Sequence, residues 1–400
     1  VINPTFSGGL RLPHSNTLLL WGTDGSIWRS DKPLEWTRGR TDTDADLSSI
    51  AANEDGSVLI AVGQRGTILR STDRGRRWSS ISIAPITHDL RSVAHHAAGD
   101  IWIATGVGTG VLRSVDAGRT WRSVHAAPRV TFGTLASDPE NDTLLIGGED
   151  GVIGYSRDRG ESWDLQRIEM PGERTPIAMF YRLDTDEIVA TSAYGRVLVS
   201  DDRGASWRLR ETGARGFFTA GAVARDATLW LATHTGELWR STHRGTRFER
   251  VVLDLEHSSR YISAVDVDTP KGAVIIAGHG GLLARADDEA THWQSVASPS
   301  ADLETMIAAA DGRYIASGEG GLIMESMDSG RHWQIANPAP NDTMREVVAL
   351  PRTSTFVAAG TIRRKDDLPL AERLCAIHDG LELILEKHRP QEAAVEATFV

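Results

Sequence analysis

Apolar residues in this chain come in short runs, each cut off by a cluster of Gly, Asp and Ser. Residues 47–81 show one full cycle. An apolar-rich run over 47–52 ends in a turn of Glu54, Asp55 and Gly56. A second run over 57–62, rich in β-branched residues, ends at Gly63, Gln64, Arg65 and Gly66. A third covers 67–71, and Trp78 opens a fourth. Runs of this length between turn formers read as strands. Four in succession predict one antiparallel blade.

The turn between third and fourth strands carries a fixed phrase, S-x-D-x-G-x-x-W. It reads Ser71, Asp73, Gly75, Trp78; then Ser114, Asp116, Gly118, Trp121; then Ser156, Asp158, Gly160, Trp163. It returns as Ser200, Asp202, Gly204, Trp207 and as Ser326, Asp328, Gly330, Trp333. Degenerate copies run from Ser241 to Phe248 and from Ala286 to Trp293, and a shortened one from Ser30 to Trp36. The eight copies begin 40 to 45 residues apart. A repeat of that size with strand-like content predicts a propeller. Ser and Asp oxygens can accept bonds from the turn amides. Gly supplies the positive φ of a tight hairpin, and Trp packs beneath the turn or against a neighbouring blade. Asp73, Asp116, Asp158, Asp202 and Asp328 are therefore expected to be structural, since they recur blade after blade while a catalytic site occurs once.

The phrase resembles the Asp-box, or BNR repeat, of sialidases, some glycoside hydrolases, sortilin-type receptors and photosystem II assembly factors. The longer stretch from Gly63 through Arg70, Ser71, Asp73 and Gly75 to Trp78 is similar to the repeat of the photosystem II stability/assembly factor family and its relatives in non-photosynthetic bacteria. The resemblance covers roughly residues 1–361. It implies a protein-binding propeller whose arginines contribute to partner binding, and a seven-bladed ring. Here the residue before the box Ser is Arg29, Arg70, Arg113 or Arg240, but also Tyr155, Val199 or Glu325.

Eight blades are expected, over 5–38, 47–83, 90–124, 131–168, 177–210, 217–251, 261–297 and 304–336. The alternative is seven blades and an extra hairpin. The fold class is all-β, with 1–361 as propeller and 362–400 as a C-terminal helix and tail. Two further strands, over 344–350 and 355–360, are candidates to pair with the N-terminal strands and close the ring, which would remove exposed sheet edges. Over 369–387, Leu370, Leu374, Ile377, Leu381 and Ile384 fall on one helical face, which docks on the propeller or serves self-association. Residues from 390 read as a tail.

Composition narrows the function. A formal net charge of −11 argues against a nucleic-acid partner. The single cysteine, Cys375, excludes an intrachain disulfide and is compatible with the cytoplasm or a bacterial periplasm. No apolar stretch is long enough to cross a membrane. The chain begins at Val1, so a leader removed before this numbering is expected, with a periplasmic or secreted home favoured over a cytoplasmic one.

Because the box turns occupy one face, a site is expected on the other, among the turns between second and third strands and the starts of the innermost strands. Those turns carry Arg65, Glu149, Asp150, Tyr194, His234, His279 and Glu319. The strand starts add Arg215, Arg260 and Arg345, besides His88, Arg91 and Tyr261. The expected role is binding a protein partner, as an assembly or stability factor for an envelope or membrane complex, with no catalysis. The alternative is a glycoside hydrolase or sialidase-like enzyme using rim carboxylates. A sialidase would need an arginine triad, for which Arg215, Arg260 and Arg345 are one choice, and a Tyr–Glu pair that the sequence does not offer. No cofactor or metal is expected. Asp42, Asp44 and Asp46 open like a calcium loop, but Leu47 and Asn53 stand where Gly and Glu are required. His95 and His96 are adjacent and point to opposite faces of a strand.

Overall fold

The structure is a computed structural model that describes residues 4–82, 87–108, 110–124, 130–138, 142–171, 176–184, 186–255, 261–268, 272–286, 290–296, 298–309, 312–336, 343–345 and 361–363. The chain divides into two compact units, Val1–Pro338 and Ala339–Val400. The first holds eight four-stranded antiparallel sheets, each built from four consecutive strands. These blades span residues 6–38, 47–80, 90–124, 132–167, 177–211, 218–251, 262–295 and 303–335. The all-β, eight-bladed reading holds, within a few residues at each boundary. The seven-bladed alternative does not. Of the second unit, strands Thr343–Arg345 and Thr361–Arg363 are described, paired with each other. The helix expected over 369–387 and the tail lie outside the described residues. Among the described residues no helix is long and apolar enough to cross a membrane.

Second strands such as Leu59–Gly63 and Ile101–Gly106 are buried along their whole length. That is why they read as unbroken apolar runs: a blade's central strands are covered on both faces by its neighbours. The apolar core is accordingly divided by interface. Leu19, Trp21 and Ile27 of blade 1 pack with Leu59, Leu69 and Trp78 of blade 2. Seven further clusters join the remaining neighbours in the same way.

Blade 1 takes all four of its strands from residues 6–38. Of the two further strands expected to help close the ring, 355–360 and most of 344–350 lie outside the described residues. The ring closes by packing. Phe6, Leu18, Leu20 and Trp36 meet Ile307, Ile315 and Ile323 of blade 8. Gly9 admits that approach, since a Cβ there would lie 2.1 Å from Ile307 Cδ1. A buried polar link completes the contact. Glu325 accepts bonds from Leu34 N–H at 2.9 Å and Trp36 Nε1–H at 2.5 Å. Arg313, also buried, lies 3.8 Å from Glu325 and donates to Asn16 O at 3.0 Å.

Every first strand slips register by one residue where it begins, as at Leu47/Ser49 and Leu303/Thr305. Such bulges increase twist and re-aim side chains. Here they sit beside the turns on the face opposite the boxes.

Candidate functional site

The box face is a closed system of local bonds. In blade 3, Ser114 Oγ donates to Asp116 Oδ1 at 2.8 Å and accepts Gly118 N–H at 3.0 Å. Asp116 Oδ1 also accepts the amides of Arg119 and Thr120, at 3.0 and 2.9 Å. Burial pushes the Asp116 carboxyl up, but the bonds from Thr120, Ser114 and Arg119 outweigh it and hold the group at about 2. Asp73, Asp158, Asp202 and Asp328 repeat this arrangement. Their carboxylates are spent on the turn.

Two features of the box turn were not legible locally. The residue before the Gly is also left-handed, as at Arg74 (φ 59) and Ala117 (φ 58). And the Gly faces the preceding blade: a Cβ at Gly118 would lie 2.3 Å from Ile60 Cδ1, and one at Gly160 2.6 Å from Ile103 Cδ1. The arginines before the box Ser act in the same contact. Arg29, Arg70 and Arg113 donate through Nε to the carbonyls of Arg74, Ala117 and Arg159 in the next blade's box, at 2.9, 2.7 and 2.8 Å. They brace blade to blade. At the closing interface the polarity reverses, because the shortened box of blade 1 presents N–H groups and Glu325 stands where the arginine does elsewhere.

An open cleft of about 500 Å3 lies on this face between blades 4 and 5, lined by Thr143, Tyr155, Arg157, Asp186, Asp201, Asp202 and Arg203. Two of its acids are already paired, Asp186 with Arg203 at 2.5 Å and Asp201 with Arg208, and Arg157 lies over the Tyr155 ring and donates to its Oη at 2.9 Å.

On the opposite face the backbone repeats and the side chains do not. In seven of the eight blades the first residue of the rim turn donates its N–H to the carbonyl just before the innermost strand, as from Gln64 to Asp46, His234 to Phe217, His279 to Tyr261 and Glu319 to Asp302, at 2.9 to 3.1 Å. A Cβ at Gly63, Gly278 or Gly318 would fall within 2.1 Å of that carbonyl oxygen. Asp46, Asp89 and Asp302 then staple the rim to the preceding blade by accepting the turn amides of Asp24, Arg65 and Gly280. This role was missed. Its signal was an Asp-Leu pair opening the innermost strands of blades 2, 3 and 8.

The structure scatters several expected site residues. Arg65 pairs with Asp44, and Asp150 accepts from Arg167 at 3.1 Å. Glu149 and Glu319 are exposed in turns of blades 4 and 8. Arg215 is exposed. Arg260 lies outside the described residues, and Arg345 stands on a strand of the second unit. The calcium-loop acids diverge: Asp42 bonds Ser80, Asp44 bonds Arg65 and Asp46 bonds Gln64. His95 pairs with Asp100 at 2.8 Å, while buried His96 meets Ser137 and Asp142 at 3.0 and 3.1 Å.

Two groups come together. On blades 5 and 6, Tyr194 lies 5.4 Å from Phe217, and Phe217 5.5 Å from His234. Phe217 N–H donates to His234 Nδ1 at 3.0 Å, which leaves the ring proton on Nε2. Arg196 lies over the Tyr194 ring at 5.8 Å. Tyr194 and Phe217 remain 50% and 44% exposed, which is unusual for two large rings in contact. Gly216 makes room for the histidine, since a Cβ there would lie 2.7 Å from its ring. Phe217 was missed. The signal was Phe217-Phe218 at a strand start, where alternation turns one ring outward. On blades 7 and 8, His279 stacks on Tyr261 with centroids 4.2 Å apart. Its two nitrogens face Asp302 at 3.6 Å and Glu304 at 3.3 Å.

A family model, photosynthesis system II assembly factor YCF48, matches residues 28–304. Among solved structures, the chain is similar to YCF48 bound to D1 peptide (17% identity, TM-score 0.55, 72% of this chain and 92% of that one). It is also similar to the GH74 xyloglucanase from Xanthomonas campestris (16%, TM-score 0.54, 85% and 69%). At such identities the likeness is one of fold. Over 45 residues, 11% of this chain, it is 64% identical to the crossover junction endodeoxyribonuclease RuvC of Chelativorans sp. (strain BNC1). The chain spans about a quarter of the length of that curated relative and of others like it.

Proposed function

The chain belongs to the family of the photosynthesis system II assembly factor YCF48, and from that premise we propose that it is a non-catalytic scaffold that binds a protein segment on the face opposite the boxes. The observation that carries this reading is the exposed Tyr194–Phe217–His234 group with Arg196 beside it. Tyr, Phe and Arg are among the residue types enriched at protein interfaces, the rings because they offer large contact areas with few rotatable bonds and Arg because its planar guanidinium both stacks and hydrogen-bonds. A relative of known structure holds a peptide of D1, which is consistent with a peptide ligand here. We further read the partner as a subunit of an envelope or membrane complex, met in the periplasm.

A hydrolase reading has less support. Glu149 and Asp150 sit on blade 4, and Glu319 on blade 8. The neighbouring rim carboxylates Asp302 and Glu304 have the His279 ring between them rather than the open space a sugar needs. We place the 45 nuclease-like residues after the last blade, in the part without the box phrase, because a stretch taken from one blade would resemble the others too. We assign them no activity.

The test is affinity purification from the native organism with the wild-type chain, a Tyr194→Ala/Phe217→Ala double variant, and a chain ending at residue 338. The double variant is expected to lose the partner and the shortened chain to keep it. Undiminished recovery with the double variant would sink the assignment of this surface.

A further inference from the structure

We propose that the rim of blades 7 and 8 carries a site for a divalent first-row metal ion, held by one ring nitrogen of His279 and by carboxylate oxygens of Asp302 and Glu304. One ligand atom from each residue lies within 4.8 Å of the other two. The separation of 3.3 Å between His279 Nε2 and Glu304 Oε1 is long for a charge-assisted hydrogen bond, which settles at about 2.7–2.9 Å. It matches the spacing of two ligands each ~2.0–2.1 Å from one tetrahedral ion, roughly 3.3–3.4 Å apart.

The chemistry of the ring points the same way. His279 has a carboxylate at each nitrogen. A ring with one N–H donates to only one of the two carboxylates, so the other is satisfied by a second ring proton or by a bound cation. Among the described residues no Lys or Arg pairs with Asp302 or Glu304. The contrast with His96 is instructive, because there Arg159 supplies the cation, 3.0 Å from Asp142.

The ligands are also held in place. Tyr261 stacks on the imidazole at an interplanar angle of 17°, and His279 N–H donates to Tyr261 O at 3.0 Å. Asp302 Oδ1 is engaged by Gly280 N–H at 2.7 Å, which directs Oδ2 toward the ring. Glu304 stands on the innermost strand Leu303–Ala308. The three side chains are 31–39% exposed, so an ion can reach them from solvent. One imidazole and two carboxylates suit Zn2+, Co2+ or Ni2+ better than Mg2+. Three protein ligands leave a position for water or for a group from a bound partner.

The experiment is calorimetric titration of the full chain with ZnCl2 alone, repeated with Co2+ for its visible absorption. One ion per chain is expected. His279→Gln should weaken binding about a hundredfold and Glu304→Gln at least about tenfold, with metal-free melting curves unchanged. The visible Co2+ band should disappear in His279→Gln. The proposal is overturned if the wild type takes up no Zn2+, or if uptake is unchanged in both variants, which would place the ion on other histidines.

Discussion

The two faces of this propeller use one repeat in opposite ways. On the box face five of the eight blades spend the same side chains on the same bonds. Ser and Asp close the turn, Gly admits the preceding blade, and Arg29, Arg70 and Arg113 reach the next box. On the other face the backbone is stapled equally regularly, but through amides and carbonyls that any residue supplies. Side chains there are released from structural duty. They vary from blade to blade, and two groups gather, one aromatic and one of His and carboxylates. Regularity therefore marks architecture, and the conspicuous carboxylates of the boxes are the least available ones. The arginines that the family resemblance marked for partner binding fall on the architectural side.

The comparison is broken most severely at the seam. Glu325→Ala breaks the buried Glu325–Arg313 pair and takes the acceptor from the buried Trp36 Nε1–H, and removing one partner of a buried pair costs about 3–5 kcal/mol. We expect a large fall in the thermal midpoint. A midpoint within a degree of wild type would show that the ring does not depend on that link. Next is Gly118→Ala, whose Cβ would clash with Ile60 and whose φ of 75 strains any side chain. The expected cost is about 1–3 kcal/mol. Ile60→Val, which removes the clashing methyl, should recover part of it in the double variant. Additive losses in that cycle would refute the blade-to-blade contact.

A smaller effect concerns pH. Asp116 is held at about 2 when folded and titrates near ~3.9 when unfolded. A depressed carboxyl contributes stability above the unfolded value, and loses it as pH falls from about 4 toward about 2. Asp116→Asn should flatten the stability profile over that window while changing stability at pH 7 by only about 1 kcal/mol. An unchanged acid limb would mean that other groups control it. The smallest stability effect belongs to the other face. Tyr194→Ala is expected to shift unfolding by less than about 0.5 kcal/mol, in the range of ordinary surface changes. A loss of several kcal/mol would move Tyr194 to the architectural side.

Blade number, blade boundaries and the structural role of the box Asp residues were legible in the sequence. They rest on short-range physics: turns a few residues long, strands a few residues wide, and a period that repeats them. The box bonds join residues no more than four apart. The turns that make up the opposite face were legible too, but which side chains meet there was not. Arg65 and Asp150 turned out to be paired, while Phe217, Asp302 and Glu304 had drawn no notice.

What the sequence determined by itself is the repeating unit and the face on which repetition fails. The tertiary structure decided what meets what across blades. Gly118 against Ile60, Arg70 on the Ala117 carbonyl, Glu325 beneath Trp36, and His279 between Asp302 and Glu304 all join residues from different blades. Those meetings depend on the angle between neighbouring sheets and on the one-residue slip at the start of each innermost strand. Both are set by how whole blades pack, so no local pattern of residues encodes them.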